Sequence, residues 1–338
     1  MPGKIISVVN RKGGVGKTTV TLGLADTLIA ETEKPYKAGA PVVLTIDLDP
    51  QGSLTRGLLY DRRDPSKQVR LQETFKEKRT FAACLQDHLN GPSNDTNDYL
   101  THGVGPIGKH YSILANEASA WNVEREALRT AGEARLKHVV NAMLTDLAST
   151  YRYVLIDAPP GQTVIAEAAI QASDLVLCPT SPDLLSYWGL ESFDQYLKEI
   201  CSAEGGPPAR FVFTKFRKKA PKYDPQDRVH EWVNAFAEPE RYVTLLREAG
   251  ETSATGGQSI NLPFDPKLVS RLEGAPNVGR PWPWPRMYTP DTQRALLRLV
   301  SAVKRELNSG EPGRTPPHHR TFDRAIADSA GSAAQLAG

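Results

Sequence analysis

A glycine-rich stretch near the N-terminus places a lysine and a threonine side by side, shortly after an apolar run. Its sequence is N-R-K-G-G-V-G-K-T-T over residues 10–19, and residues 5–9 before it are I-I-S-V-V. A strand, a glycine loop and a helix start in this order are typical of a phosphate-binding loop. The glycines let backbone N–H groups turn towards phosphate oxygens, and the helix N-terminus adds partial positive charge.

The polar residues of this loop have defined chemical roles under that interpretation. Lys17 is expected to reach the β- and γ-phosphates of ATP, and the Thr18 hydroxyl to bind Mg²⁺. We therefore predict ATP and Mg²⁺ as the cofactors of this site. The predicted ATP contacts of the loop are Lys12, Gly13, Gly14, Val15, Gly16, Lys17, Thr18 and Thr19.

Acidic residues end two further apolar runs. Asp47 and Asp49 follow residues 42–46, and Asp157 follows residues 153–156. Continuous apolar runs are typical of strands buried on both faces of a parallel sheet. Ligands bind at the carboxyl ends of such strands, so these carboxylates are expected beside the phosphate loop. Asp157 is a candidate to hold Mg²⁺ through water.

The loop departs from the usual pattern G-x-x-x-x-G-K-[ST] in a specific way. Arg11 stands at the place of the first glycine, and a second lysine, Lys12, lies early in the loop. This variant resembles the deviant P-loop of the ParA/MinD family of ATPases. The resemblance implies that Lys12 reaches across a dimer to the partner's nucleotide, and that Lys12 and Lys17 neutralise charge during hydrolysis.

Two later segments extend the resemblance. The sequence D-L-D-P-Q at residues 47–51 resembles the family's second motif, and P-P-G at residues 159–161 resembles its switch loop. The resemblance implies that Asp49 positions or activates the attacking water and that Asp47 supports the Mg²⁺ ion and the loop. Movement of the switch loop would report whether the γ-phosphate is present.

The alternation of apolar runs and amphipathic segments predicts an α/β fold. We expect a P-loop NTPase fold in which helices cover both faces of a mostly parallel, twisted sheet. Residues 1–309 are expected to form one ATPase domain with a divergent region at 56–110, and residues 310–338 a flexible tail. Helices are predicted at 19–30, near 81–89, and at 131–150, 163–172, 184–200 and 289–307; strands at 111–114, 174–179, 210–214 and 260–265; and an exposed loop near 90–98.

The resemblance also covers the base-binding side of the site. The segment I-N-L-P-F-D at residues 260–265 resembles the family's last strand and its exit, where the family contacts adenine. Pro263 and Phe264 are therefore candidate contacts to the base. Thr214 stands where the family often has an asparagine that contacts adenine, and it is a third candidate.

A basic segment follows the strand predicted at 210–214. Five lysines and arginines are interleaved with two aromatic residues over residues 215–223. Such a cluster attracts a nucleic-acid backbone, because binding releases counterions. The other interpretation is a solvated surface loop, and both stay open at this point. The candidate DNA-binding residues are Lys215, Arg217, Lys218, Lys219 and Lys222.

Composition narrows the function classes. Basic and acidic side chains number 41 and 39 among 338 residues, so net charge does not indicate a partner. The three cysteines, Cys84, Cys178 and Cys201, show no zinc spacing and no arrangement for an iron–sulfur cluster. They favour a reducing compartment. We expect no signal peptide and no membrane span, and hence a cytoplasmic protein that associates with the nucleoid when ATP is bound.

The leading interpretation is a slow, Mg²⁺-dependent ATP hydrolase that segregates or positions plasmid DNA, chromosomal DNA or another cargo. It would form a homodimer with ATP, bind nonspecific DNA and respond to a ParB-like or cargo adaptor protein. A MinD-like membrane-cycling regulator is the alternative, and it needs an amphipathic C-terminal helix. The tail offers only Phe322, Ile326 and Leu336 among alanines, so membrane association is not expected. A metabolic kinase is a further class, but it would not need Lys12.

Overall fold

The protein is built around a sheet of mostly parallel strands. In this computed structural model the described residues are 3–31, 42–60, 65–91, 95–104, 111–181, 184–201, 206–216, 261–263 and 288–308. They contain the strands β1 Lys4–Val8, β2 Val43–Asp47, β3 Thr101–His102, β4 Tyr111–Leu114, β5 Tyr153–Asp157, β6 Leu175–Thr180, β7 Ala209–Phe216 and β8 Asn261–Pro263.

These strands form one sheet in the order β3-β4-β2-β5-β1-β6-β7-β8. Neighbouring strands are parallel except for β3, which is antiparallel to β4 at the sheet edge. In the centre, β5 lies between β1 and β2, with Val8 opposite Asp157 and Asp47 opposite Asp157. The register therefore brings the acidic ends of β2 and β5 next to the end of β1, where the glycine loop begins.

Helices connect the strands and cover both faces of the sheet. The described helices are α1 Lys17–Glu31, α2 Ser53–Leu59, α3 Pro65–Lys76, α4 Phe81–Asn90, α5 Ala120–Thr130, α6 Gly132–Thr150, α7 Val164–Ala172, α8 Leu184–Cys201 and α9 Pro290–Asn308. Residues alternate between the two faces along each strand, as the pleat requires. Ile6 of β1 belongs to the apolar cluster that contains α1, α2 and α9, whereas Ile5 belongs to the cluster that contains α4, α6 and α7. Both strand faces are thus buried, which explains the continuous apolar runs.

The α/β fold class predicted from the sequence is confirmed. The helices predicted at 19–30, 131–150, 163–172, 184–200 and 289–307 correspond to α1, α6, α7, α8 and α9. The short helix predicted near 81–89 is α4. Among the helices that the structure describes, none combines the length and apolar character needed to cross a membrane.

Two local features differ from the sequence prediction. The prediction of an exposed loop near residues 90–98 is wrong for its second half. There, Thr96–Tyr99 form a 3₁₀ turn in which Thr96 and Tyr99 are buried. The Asp95 carboxylate starts this turn by accepting the Asn97 N–H at 2.9 Å. Most residues of this stretch are typical of exposed turns, so its sequence does not indicate that two of its side chains are buried. Helix α5 was not predicted, although Ala120, Val123 and Ala127 recur at helical spacing, because the two buried residues of this stripe, Ala120 and Ala127, are small and its other residues are mostly polar.

The closing helix α9 packs on α1, the helix that follows the glycine loop. This contact predicts that two leucines of α9 contribute differently to stability. Leu299 is fully buried against the cluster of α1, whereas the Leu297 side chain is 38% exposed. We expect Leu299→Ala to lower the free energy of unfolding by about 2–5 kcal/mol, because it leaves a cavity. Leu297→Ala should change it by less than about 0.5 kcal/mol. Urea unfolding of both variants measures this, and equal losses would contradict the packing described.

Candidate functional site

The glycine loop connects β1 to α1 and curls around the amino group of Lys17. Lys17 Nζ donates to the Asn10 carbonyl at 3.1 Å and to the Lys12 carbonyl at 3.2 Å. Gly14 and Gly16 have φ angles of 72° and 93°, which side chains other than glycine rarely tolerate. The loop therefore has the backbone geometry of a phosphate cradle, with its lysine folded back onto loop carbonyls.

Lys17 is buried, and this burial lowers the pKa of its ammonium group. The carboxylates of Asp157 and Asp49 act in the opposite direction and favour the charged form. Among the described residues, the hydrogen-bond partners of Lys17 Nζ are two carbonyl groups of its own loop. An ammonium group has three donors, so Lys17 can donate a further bond. Phosphate oxygens are acceptors of suitable charge for it.

A hydroxyl and a carboxylate meet at the start of α1. Thr18 Oγ1 donates to Asp157 Oδ2 at 2.7 Å, and Thr21 Oγ1 lies 3.4 Å from Asp157 Oδ1. Mg²⁺ prefers oxygen ligands and takes one or two protein groups together with phosphates and water. Thr18 and Asp157 fit that requirement. Within the described ranges no three histidine, cysteine or acidic side chains form a metal cage.

Asp47 and Asp157 are neighbours across β2 and β5. Burial raises the pKa of Asp47 to about 7, with a further upward contribution from Asp49 that hydrogen bonds from Thr55 oppose. Burial likewise raises the pKa of Asp157 well above its ordinary range, with a further contribution from Asp47. The two carboxyls therefore disfavour each other's charged form. A divalent cation beside them would relieve that repulsion.

The oxygens of Asp47 are bonded to the turn that follows β2. Asp47 Oδ2 accepts from both the backbone N–H and the hydroxyl of Thr55, each at 2.8 Å, and Oδ1 accepts from the Asp49 N–H at 3.1 Å. Asp49 itself is half-buried, and its carboxylate accepts the Gln51 N–H at 2.9 Å. The structure thus places Asp47 at the base of this turn and Asp49 within it, in electrostatic contact with Lys17.

The P-P-G segment contacts the glycine loop directly. The Gly161 N–H donates to the Arg11 carbonyl at 3.1 Å, and Gly161 has a φ of 94°. Two residues later, the Thr163 hydroxyl caps α7 by accepting the Ala166 N–H at 3.1 Å. A displacement of residues 159–161 would therefore act on both the glycine loop and the N-terminus of α7.

Asn10 connects the loop to β6, and Thr214 of the neighbouring strand β7 also supports the loop. Asn10 Nδ2 donates to the Pro179 carbonyl at 2.7 Å, and its Oδ1 accepts the Lys12 N–H at 2.9 Å. Thr214 Oγ1 donates to the Val15 carbonyl at 2.6 Å. Sequence reasoning missed Asn10, although an asparagine directly before a loop is a signal for side-chain bonding to the backbone. Thr214 was predicted near the base; its hydroxyl is engaged by the loop, and its contact to ATP stays a prediction.

The remaining predicted residues lie partly outside the described structure. Lys12, Gly13, Gly14, Val15, Gly16, Lys17, Thr18 and Thr19 are all at the loop or in the first turn of α1, beside Asp47, Asp49 and Asp157. Pro263 ends β8, and Lys215 lies in β7. Phe264 and the basic residues Arg217, Lys218, Lys219 and Lys222 lie outside the described residues.

The protein has a parallel sheet, this glycine loop between β1 and α1, and carboxylates at the ends of two neighbouring strands. This combination defines a P-loop nucleotide-binding protein. A family model described as an AAA domain matches residues 3–204. Soj of Bacillus subtilis is 28% identical over 199 residues, which are 59% of this chain and 65% of Soj. ParA of Caulobacter vibrioides is 29% identical over 205 residues, 60% of this chain and 64% of ParA. The chain belongs to the ParA/MinD family of P-loop ATPases.

Solved structures show the same fold. Apo McdA of Cyanthece aligns with a TM-score of 0.61 at 17% identity, over 89% of this chain and 99% of McdA. A putative plasmid partition protein of Borrelia burgdorferi B31, bound to AMPPNP, aligns with a TM-score of 0.59 at 17% identity, over 88% and 99% of the two chains. The alignments span just under two thirds of Soj and ParA, at 65% and 64%.

The crowded carboxyls predict a pH dependence of stability in the absence of nucleotide. The pKa of Asp47, about 7 in the folded chain, lies above the value of about 3.9 in an unfolded chain. The folded state therefore binds more protons between these values, and this group's contribution to stability is lost as pH rises towards 7. The expected slope is up to about 1.4 kcal/mol per pH unit.

Asp47→Asn should flatten this slope, because the amide does not titrate and can still accept from Thr55. Urea unfolding at several pH values between 5 and 8 measures the slope. Asp146→Asn, on the exposed face of α6, is the matched control and should keep it. Equal slopes in Asp47→Asn and wild type would show that Asp47 does not carry the effect.

Proposed function

We propose that residues 1–309 form one Mg²⁺-dependent ATPase domain that works as a nucleotide-controlled switch for segregating or positioning plasmid DNA, chromosomal DNA or another cargo. The observation that carries this proposal is the arrangement of Lys17, Thr18 and Asp157 around a loop that also contains Lys12. Similarity to Soj and ParA, named for sporulation control and chromosome partitioning, supports the cargo class.

The site residues divide the work of binding and hydrolysis. The loop N–H groups and Lys17 would bind the β- and γ-phosphates, and Thr18 with Asp157 would hold Mg²⁺, which supplies charge neutralisation at the phosphates. Asp49 would orient the attacking water, since its half-buried carboxylate lies in the turn beside Lys17. Asp47 would hold that turn through its bonds to Asp49 and Thr55. Pro263, Phe264 and Thr214 are the proposed contacts to the base.

Dimerisation would place Lys12 against the partner's nucleotide. The Lys12 N–H is bonded to the Asn10 side chain and its carbonyl accepts from Lys17, so the backbone of this residue is set by the loop. The Gly161 N–H bond to the Arg11 carbonyl connects the P-P-G segment to the residue next to Lys12. A change in that segment on loss of the γ-phosphate would therefore act on the dimer contact. A ParB-like or cargo adaptor protein would stimulate this step.

The proposed binding of DNA, along which the protein would position its cargo, is based on the charge of the basic segment at residues 215–223. Lys215, Arg217, Lys218, Lys219 and Lys222 form the basic segment, and two copies in a dimer would double its charge. Phosphate contacts of this kind give binding that does not depend on base sequence and that weakens with salt. ATP would thus control DNA binding through dimerisation, and hydrolysis would release the DNA.

Binding to a long random-sequence DNA duplex at fixed salt tests this proposal. Wild type, Lys12→Ala and the control Lys76→Ala, an exposed lysine on α3, are each measured with ATP, with ADP and without nucleotide. We expect tight binding with ATP only, lost in Lys12→Ala and kept in Lys76→Ala, because Lys12 completes the dimer. ATP hydrolysis is followed in the same samples.

Absence of DNA binding in every nucleotide state, with ATP hydrolysis intact, would reject DNA as the track. Binding of anionic vesicles with ATP would then favour the MinD-like alternative. Unchanged DNA binding by Lys12→Ala would reject the proposed role of this lysine in the dimer.

A further inference from the structure

A buried chain of hydrogen bonds runs behind the turn that carries Asp49. Thr55, in the first turn of α2, donates its hydroxyl proton to Asp47 Oδ2 at 2.8 Å. The same hydroxyl oxygen accepts the backbone N–H of Asn116 at 2.9 Å. Asp47 in turn accepts the Asp49 N–H at 3.1 Å. The chain therefore connects the segment after β4 to Asp49 through two side chains that are fully buried.

The Thr55 hydroxyl is the central link because a hydroxyl has one proton. The Thr55 hydroxyl donates this proton to Asp47, and its oxygen accepts the hydrogen bond from the Asn116 N–H. The hydroxyl is fully enclosed, so these two bonds do not exchange with bonds to bulk solvent. The positions of Asn116, Asp47 and Asp49 are therefore linked to one another, and a valine of the same shape at position 55 would break the chain without leaving a cavity.

The side chain of Asn116 is buried without hydrogen-bond partners among the described residues. Its side chain is 1% exposed, yet neither its Nδ2 nor its Oδ1 has a hydrogen-bond partner among the described residues. Unpaired buried amides are rare, because the group loses its bonds to water and gains none in return. A native protein that retains such a group uses it in another state or fills the space with water.

The main chain of Asn116 lies next to the turn. A Cβ atom built on Gly52, whose φ is 63°, would come within 3.0 Å of the Asn116 carbonyl oxygen. Gly52 directly follows the segment 49–51 and leads into α2. The main chain of Asn116 thus lies beside the Asp49–Gly52 turn, and the polar groups of this turn are candidate partners for the Asn116 amide.

We propose that Thr55 and Asn116 are positioning residues for Asp49, and that the Asn116 side chain gains its hydrogen bonds from the Asp49–Gly52 turn, directly or through one water, when nucleotide is bound. This inference rests on the proposed role of Asp49 in ATP hydrolysis. Under this proposal Thr55 and Asn116 contact neither phosphate nor Mg²⁺, but they hold in position the Asp49 carboxylate that orients the attacking water. Such residues affect the chemical step more than the binding of ATP, since the phosphate contacts belong to the loop.

The Thr55 hydroxyl is tested by comparing Thr55→Val with Thr55→Ser. We expect Thr55→Val to lower kcat by between about 10-fold and about 100-fold while KM and the Kd for ATP change less than about 3-fold. Thr55→Ser keeps the hydroxyl and should restore most of kcat. Thr27→Val is the matched control, because Thr27 is equally buried and its hydroxyl donates within α1 to the Gly23 carbonyl at 2.7 Å. It should leave kcat unchanged.

The Asn116 side chain is tested by Asn116→Leu, which has nearly the same shape and no polar atoms. Without nucleotide we expect its melting temperature to equal or exceed that of wild type, because an unpaired amide is removed. Its kcat should fall by about 10-fold or more, and the rise in melting temperature on adding a nonhydrolysable ATP analogue should be smaller than in wild type. A purely structural asparagine would give the opposite pattern, with lower stability in the absence of nucleotide.

Asp49→Ala separates failure of this inference from failure of the proposed function. Loss of hydrolysis in Asp49→Ala together with normal kcat in Thr55→Val and Asn116→Leu would overturn the inference alone. Normal hydrolysis in Asp49→Ala would reject the role of Asp49 on which both depend. A melting temperature of Asn116→Leu well below that of wild type, without nucleotide, would show that the amide is already paired and would also overturn the inference.

Discussion

Two buried carboxyl groups on adjacent parallel strands, next to one buried lysine, set the main electrostatic constraint in this structure. Asp47 and Asp157 are in register, and burial raises the pKa of both. Thr18, Thr55 and Lys17 are the groups that compensate this cluster. Such an arrangement is costly without a cation and is typical of a site that receives one. The glycine loop, the register of the central strands and the start of α2 all serve to maintain it.

The hydrogen bonds around this cluster connect the parts of the site that must act together. Arg11 and Gly161 join the glycine loop to the P-P-G segment, and Asp47 with Thr55 joins β2 to the turn of Asp49. These bonds are short-range and lie between rigid strand ends and short turns. A nucleotide that moved one of these turns would therefore act on the others, as the proposed γ-phosphate switch requires.

The sequence predicted those parts of the site that are contiguous or that follow strand ends. The loop from Lys12 to Thr19 is a local motif, and Asp47 and Asp157 meet because parallel strands end at the same edge. Thr55 and Asn116 are 61 residues apart, and their contact depends on β4 lying beside β2 and on where α2 begins. Thr214 meets Val15 for a similar reason, since β7 lies two strands from β1. Strand order is a tertiary property, and periodicity does not reveal it.

Equilibrium binding of ATP in the presence of Mg²⁺, measured by titration calorimetry, is the most direct test of the central claim that the loop around Lys17 is a Mg²⁺–ATP site. Wild type should bind, and Lys17→Ala should bind at least about 30-fold more weakly, because it removes a buried charge that faces the phosphates. The exposed control Lys76→Ala should bind like wild type. Equal affinity of Lys17→Ala and wild type, or no binding by either, would contradict the account.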